Sequence, residues 1–391
     1  MRLDRTDRSL LSDWWFTIDR MLLTAVLLLM FAGVILSLAA SPPVAERLGL
    51  DSFHFVRRHL VILGVSMLLL VSASMLSPRL IRRASLIMFL GGMVLMVLTL
   101  RFGPEIKGAT RWIQVAGFSI QPSEFVKPAF VILSAWLFSE GQKRSDVPVL
   151  PIAFGIYGLF VLLLVLQPDF GQALLVTLVW GGLFFLTGIP MVWVGVMAAA
   201  AGVAGTLAYF LVPHVRARFD KFFFADGDTF QTDRALQSFE HGGWFGRGPG
   251  EGTVKDILPD SHSDFIFAVA AEEYGLIMCM VILALFAFVV LRGLYLALTD
   301  PEPGIRFPVT GLMMLFGFQA VINMAVNVGL LPAKGMTLPF ISYGGSSMLS
   351  MGILMGFVIG LTRRRPQAAR IHAYGGGLRS RKRSDAEEAG A

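Results

Sequence analysis

Residues 21–38, MLLTAVLLLMFAGVILSL, form an apolar run without a single charge. As an α-helix, a run of this length rises about 27 Å, close to the roughly 30 Å hydrocarbon core of a bilayer. It follows a basic leader carrying Arg2, Arg5 and Arg8. It is too long for the apolar core of a cleavable signal peptide, so the reading is a retained transmembrane helix.

The rest of the chain repeats this pattern. Of 391 residues, 55% are hydrophobic and 15% charged, and mean hydropathy is +0.68; soluble domains carry about a quarter charged residues. Apolar runs between polar breaks predict spans near 20–40, 58–76, 82–101, 122–139, 149–166, 170–187, 190–212, 264–291, 308–331 and 344–362. The expected fold is an all-α polytopic membrane protein with about ten transmembrane helices in one bundle. An N-terminal segment (1–19) precedes the membrane domain (20–362), whose large extracytoplasmic loop (213–263) lies between helices 7 and 8. A disordered basic tail (363–391) follows, with its glycine run and charged end. No tandem repeat of fixed period is visible.

Charge sets the orientation. Arg2, Arg5 and Arg8, then Arg79, Arg82 and Arg83, Lys143 and Arg144, and Arg363 to Arg365 fall on one face, which the positive-inside rule makes cytoplasmic with both termini. Arg57 and Arg58 dissent, on the outer side, where they are expected to anchor to headgroups. The net charge of +6 sits in membrane flanks, so nucleic acid is not expected as a partner. Cys279 is the only cysteine, lies in an apolar run and reads as packing. No Cys/His cluster, P-loop or dinucleotide fingerprint is present, so no metal site or nucleotide chemistry is predicted.

Polar residues concentrate in the outer loops. Charged groups near the membrane cost roughly 2.5–3.5 kcal/mol each at a helix centre, so each asks for a partner or a purpose. Asp264 precedes Glu272 by eight residues, a little over two turns, so a continuous helix would carry both on one face. Beside His262 and Ser263, Asp264 suits either of two roles: a general base taking a proton from a hydroxyl, or a helix cap whose dipole lowers its pKa. Gln121, Pro122, Ser123 and Glu124 read as a helix start, with Lys127 able to pair with Glu124 or to meet an anionic headgroup. Arg111 and Trp112 join a cation to an indole, suited to an interface or to a sugar. Asp169, in Gln167-Pro168-Asp169-Phe170-Gly171, reads by default as a cap. Lys334, with Ser346 and Ser347, resembles an oxyanion-binding nest. Gly242-Gly243-Trp244-Phe245-Gly246-Arg247-Gly248-Pro249-Gly250 offers the close backbone approach needed where chain wraps a ligand or partner.

In order, Gly108 to Trp112, Gln121 to Glu124, Gln167 to Gly171, Gly242 to Gly246, Leu258 to Phe265 and Pro339 to Ser347 closely resemble the FtsW/RodA/SpoVE family, also called SEDS (shape, elongation, division and sporulation). The resemblance spans about residues 15 to 365, and Leu331 to Phe340 looks more like the division branch than the elongation branch. It implies a peptidoglycan glycosyltransferase that polymerises lipid II in the bacterial inner membrane, at the division septum. The implied partners are an FtsI-like class B penicillin-binding transpeptidase and other divisome proteins. It also implies that Asp264 is the catalytic aspartate, His262-Ser263-Asp264-Phe265 standing where the family has H-T-D-F; serine keeps the hydroxyl. By the same carry-over Trp112, Lys127 and Lys334 line the cavity, and Asp256 lies in a regulatory loop. Arg111, Gln121, Asp169, His262, Ser346 and Ser347 complete the expected substrate-binding set. No particular cofactor is implied, and a divalent cation (Mg or Mn) is an alternative counter-charge for the leaving pyrophosphate. The rival readings are a lipid II flippase and a non-catalytic division scaffold.

Overall fold

The computed structural model describes residues 9–105, 109–115, 117–143, 146, 148–188, ten scattered positions between 192 and 216, 230–332 and 335–364. Most of the expected span at 190–212, Lys334, most of the first part of the large loop and the tail from 365 lie outside the described residues. Every other expected span coincides with a helix. These are α2 (Arg20–Arg47), α3 (His54–Met75), α4 (Pro78–Phe102), α5 (Pro122–Gly141), α6 (Val149–Leu166), α7 (Phe170–Leu186), α9 (Ile266–Thr299), α10 (Pro303–Asn327) and α11 (Gly345–Leu361). Two further helices, α1 (Leu10–Thr17) and α8 (Phe230–Gly242), lie in segments read from sequence as a leader and a loop. Among the described residues six helices are long and apolar enough to cross a membrane, while α7 and α11 are shorter apolar helices.

The helix starts follow local chemistry. Asp19 and Ser77 accept the N–H groups of Leu22 and Leu80 at the heads of α2 and α4. Pro78, Pro122 and Pro303 occupy the first turns of α4, α5 and α10, where a missing N–H costs nothing. Between α4 and α5 a short antiparallel hairpin pairs β1 (Ile113–Val115) with β2 (Phe118–Ile120), Ile113 opposite Ile120.

α5 is the centre of the bundle and packs against α4, α6, α7, α10 and α11. α11 packs closely on α3 because Gly352 and Gly356 present no side chain to it. A Cβ on Gly352 would lie 2.5 Å from the Ser66 carbonyl oxygen, and one on Gly356 2.6 Å from that of Leu70. This is the small-residue spacing that membrane helices use for close approach.

The two ends of the bundle differ. At one, the Trp14 indole donates to Ser74 Oγ (2.7 Å), Arg292 pairs with Asp19 (2.6 Å), and Arg363 Nε donates to Thr17 Oγ1 (2.9 Å). The described N-terminal helix and the end of α11 therefore share a face. At the other end lie the hairpin, the α6–α7 turn, α8, the Asp264 turn and the stretch 335–344. Arg57 and Arg58, expected at headgroups, meet protein there: Arg57 pairs with Asp51, and Arg58 donates to the Gly117 carbonyl at the hairpin tip (3.4 Å).

Candidate active site at the polar end of the bundle

Asp264 does not begin the helix that follows it. The Asp260 carbonyl accepts N–H groups from Ser263 (3.0 Å), Asp264 (3.0 Å) and Phe265 (3.3 Å), winding a tight turn, and α9 starts only at Ile266. Phe265 is the N-cap residue and no side chain caps the helix. The expected common helix face of Asp264 and Glu272 is therefore not formed, and the capping role for Asp264 falls away. The half-buried Asp264 is held by its backbone instead. Its carbonyl accepts Nδ2–H from both Asn323 and Asn327, each at 2.9 Å. Asn323 also donates to the Met336 carbonyl (2.6 Å), and Asn327 Oδ1 accepts the Ala268 N–H (3.0 Å). The same two amides thus tie together the Asp264 turn, the start of α9 and the 335–344 stretch. On that stretch Gly335 adopts φ +64, and a Cβ placed on it would meet Asp264 Oδ2 at 3.8 Å.

Neighbouring groups reinforce the turn. The Tyr343 N–H donates to the His262 carbonyl (2.9 Å), and Ser342 Oγ donates to the Ser263 carbonyl while accepting the Leu338 N–H. The His262 ring lies 4.9 Å from that of Phe55 and 5.4 Å from that of Tyr343.

A buried network continues from α10 toward the hairpin. Lys127 is fully buried, and its ammonium donates to Glu124 (3.0 Å), Gln172 (2.8 Å) and Gln319 (3.0 Å). Three donors meet three acceptors, so this cation is satisfied inside the protein. Gln319 Nε2 donates in turn to the Thr337 carbonyl (3.1 Å) and to Ser347 Oγ (3.3 Å). Gln172 Nε2 donates to Glu124 (2.8 Å), while the Gln172 N–H reaches Asp169. Gln121 Nε2 donates to Asp169 Oδ2 (3.1 Å), and its backbone N–H to Ser346 Oγ (2.9 Å). Arg111 closes the chain of contacts: it donates to the carbonyls of Gln167 (3.1 Å) and Pro168 (2.8 Å) and lies 3.4 Å from Asp169. Burial pushes the Asp169 carboxyl above its ordinary range, and Arg111 opposes that push.

A second constellation anchors the loop leading to Asp264. The buried Glu272 carboxylate accepts the backbone N–H groups of Thr253 (2.8 Å), Val254 (2.8 Å) and Lys255 (3.0 Å). Lys255 in turn pairs with Glu273. Asp256 ends the following 3-10 turn and is exposed, and Arg47 holds the Leu258 carbonyl (3.2 Å).

Arg111, Gln121, Lys127, Asp169, Ser346 and Ser347 thus share one hydrogen-bonded network, which α10 continues to the Asp264–His262 turn. Trp112 is half-buried, its carbonyl 3.1 Å from where a Cβ on Gly103 would lie. Asp256 stands apart from the network. Gln319, Asn323 and Asn327 were absent from the expected set, although a signal exists: amides every four residues along one face of an apolar span.

The FtsW/RodA/SpoVE family, described as cell cycle protein, matches residues 19–367. The probable peptidoglycan glycosyltransferase FtsW of Caulobacter vibrioides is 50% identical over 368 residues, 93% of this chain and 94% of the relative. The probable peptidoglycan glycosyltransferase FtsW of Alkalilimnicola ehrlichii is 34% identical, covering 88% and 89%. Among solved structures, a chain of a peptidoglycan synthase complex that coordinates polymerization and crosslinking superposes with TM-score 0.74 at 28% identity, covering 89% of this chain and 98% of that one. The Thermus thermophilus rod shape determining protein RodA gives TM-score 0.64 at 28% identity, covering 89% and 97%. This multi-pass membrane chain belongs to the FtsW/RodA/SpoVE family.

Proposed function

We propose that this chain is a peptidoglycan glycosyltransferase of the division branch, polymerising lipid II with Asp264 as general base. The observation that carries the assignment is the placement of Asp264: outside the helix, backbone clamped by Asn323 and Asn327, carboxylate toward Gly335. A base needs a fixed position and freedom from capping duty. In the proposed step Asp264 takes the proton of the acceptor sugar's 4-hydroxyl as that oxygen attacks the anomeric carbon of the donor. The donor C–O bond breaks and undecaprenyl pyrophosphate departs. A sugar hydroxyl is a weak acid, so proton transfer accompanies attack.

Arg111 and Lys334 are the proposed counter-charges for the pyrophosphate. Trp112 and His262 offer faces to sugar rings. Lys127 is assigned to positioning, through Gln319 and Gln172, together with Gln121, Asp169, Ser346 and Ser347. Asp256 is the proposed regulatory loop residue. Among the described residues no group of three or more His, Cys, Asp or Glu side chains fits a metal ion. A Mg or Mn ion bound to the pyrophosphate would supply further counter-charge.

The proposed setting is the bacterial inner membrane at the division septum, with both termini cytoplasmic. The proposed partners are an FtsI-like class B penicillin-binding transpeptidase and other divisome proteins. The likeness to a chain from a complex of polymerization and crosslinking supports the first.

The test is Asp264→Ala, purified with its transpeptidase and given lipid II in detergent. The expected result is a folded variant and no glycan polymer on a gel. Polymer from the variant would overturn the assignment. A flippase or scaffold would give no polymer even from the unmodified protein, because neither forms a glycosidic bond; transport would appear only across a sealed bilayer.

A further inference from the structure

The glycine-rich segment Gly242–Gly248 takes no part in the chemistry above, yet it is built into α9. That helix has 34 residues, about 51 Å if straight, against a hydrocarbon core of about 30 Å. It breaks at Gly275 (φ 78, ψ 179). The break leaves backbone groups without helical partners, and the segment supplies them. Leu276 N–H donates to the Gly243 carbonyl (2.9 Å) and Ile277 N–H to that of Trp244 (3.3 Å), while the Arg247 and Gly248 N–H groups donate to the carbonyls of Glu272 (2.8 Å) and Glu273 (3.0 Å). The approach is close enough to require glycine: a Cβ on Gly242 would lie 1.9 Å from the Ala271 carbonyl oxygen.

The break also divides α9 by exposure. From Ile266 to Glu273 every residue is buried, whereas after it Ile277 (41%), Met280 (50%) and Val281 (49%) are open. In a membrane protein such an apolar exposed face meets lipid. Gly275 therefore marks the level at which α9 emerges from protein packing into the bilayer. At that same level, joined to Ile277 by a backbone hydrogen bond, the segment carries Trp244 at 63% and Phe245 at 83% exposure, followed by an exposed Arg247. Two open aromatics beside a cation, continuous with a lipid-facing surface, are the composition of an interfacial anchor.

We propose that the Trp244–Phe245 tip is embedded in the phospholipid interface on the Asp264 side of the membrane, with Arg247 toward lipid phosphates. The anchor sets the height of the site over the bilayer. The backbone that closes the α9 break bonds to Glu272 and Glu273, whose carboxylates hold the loop entering the Asp264 turn. This inference rests on the membrane fold and not on the proposed reaction.

The test places an environment-sensitive nitrobenzoxadiazole label at F245C in the full-length protein, reconstituted in phosphatidylethanolamine–phosphatidylglycerol vesicles. E251C, nearby and exposed, is the control, and the unmodified protein corrects for Cys279. The expected result at F245C is blue-shifted emission, quenched by shallow nitroxide lipids and protected from aqueous iodide, at a depth of about 5–10 Å. Water-like emission with iodide quenching equal to that of E251C would overturn the proposal. Protection that appears only when the transpeptidase is added would also overturn it, by making the tip a protein interface.

Discussion

Lys127 and Glu124, one turn apart on α5, form an ion pair at 3.0 Å with side-chain exposures of 0% and 4%. A surface reading of this pair suggests a weak helical contact worth a few tenths of a kcal/mol. Its burial changes the energetics, because removing one partner strands a desolvated charge at a cost of about 3–5 kcal/mol. Lys127→Ala is therefore expected to lower the melting temperature of the purified protein sharply. The double change Lys127→Met with Glu124→Gln should recover part of the loss, since no charge is left alone. A single variant that melts like the parent would show the pair to be dispensable.

The Asp169 carboxyl gives a pH signature. Burial pushes its pKa above the ordinary 3.8, and nearby Glu124 adds to the push, while Arg111, the Gln172 N–H and Lys127 pull it down. The folded state thus holds this proton more tightly than the unfolded chain does. As pH rises above 3.8 the unfolded chain releases it first, so this group's contribution to stability falls until the folded carboxyl ionises too, and then levels off. The melting-temperature difference between parent and Asp169→Asn should follow that course. Arg111→Gln removes the strongest downward pull and should extend the fall to higher pH. A difference that rises with pH would contradict the sign.

Much of this architecture is legible in residue order. Apolar run lengths locate the spans, and Pro78, Pro122, Pro303 and Asp169 mark where helices begin. The environment of Lys127 is not legible in the same way. Glu124 is three residues away in sequence, but Gln172 and Gln319 arrive from other helices, and a one-dimensional pattern carries no interhelical neighbours. Asp264 shows the complementary difficulty. Its eight-residue spacing to Glu272 suggests a shared helix face, yet the Asp260 carbonyl captures three N–H groups and delays the helix to Ile266. Helix α8 was hidden by polarity and by the glycines after it, although Ala235, Ser238 and Gly242, its buried positions, recur at helical spacing.

Gly246 tests the insertion of the loop into α9. It has φ +81, and a Cβ there would lie 2.2 Å from the Glu273 carbonyl oxygen; Gly250 has φ +87 with nothing within 4 Å. Both Gly→Ala changes carry the left-handed penalty of about 1–2 kcal/mol. Only Gly246→Ala adds a backbone collision, so it should destabilise the protein well beyond Gly250→Ala in thermal unfolding. Equal losses would mean that the loop backbone does not occupy the break.

Glu272→Gln separates loop position from catalysis. The carboxylate accepts three backbone N–H groups, two on Oε1 and one on Oε2. An amide keeps the shape, but its NH2 cannot accept, so at least one N–H loses its partner, that of Lys255 in the orientation that keeps the other two. Hydrogen bonds to a charged acceptor contribute about 1.5–3 kcal/mol, so a loss of that order is expected, concentrated at one loop. Amide exchange at Thr253 to Lys255 should accelerate, while the Asp264 N–H, donated to the Asp260 carbonyl in a turn that Asn323 and Asn327 hold separately, keeps its protection. Polymerisation should then fall through the loop that carries Asp256, with the Asp264 turn intact. Unchanged exchange at Thr253 to Lys255 would sink this reading, and faster exchange with undiminished polymerisation would free Asp256 of a regulatory role.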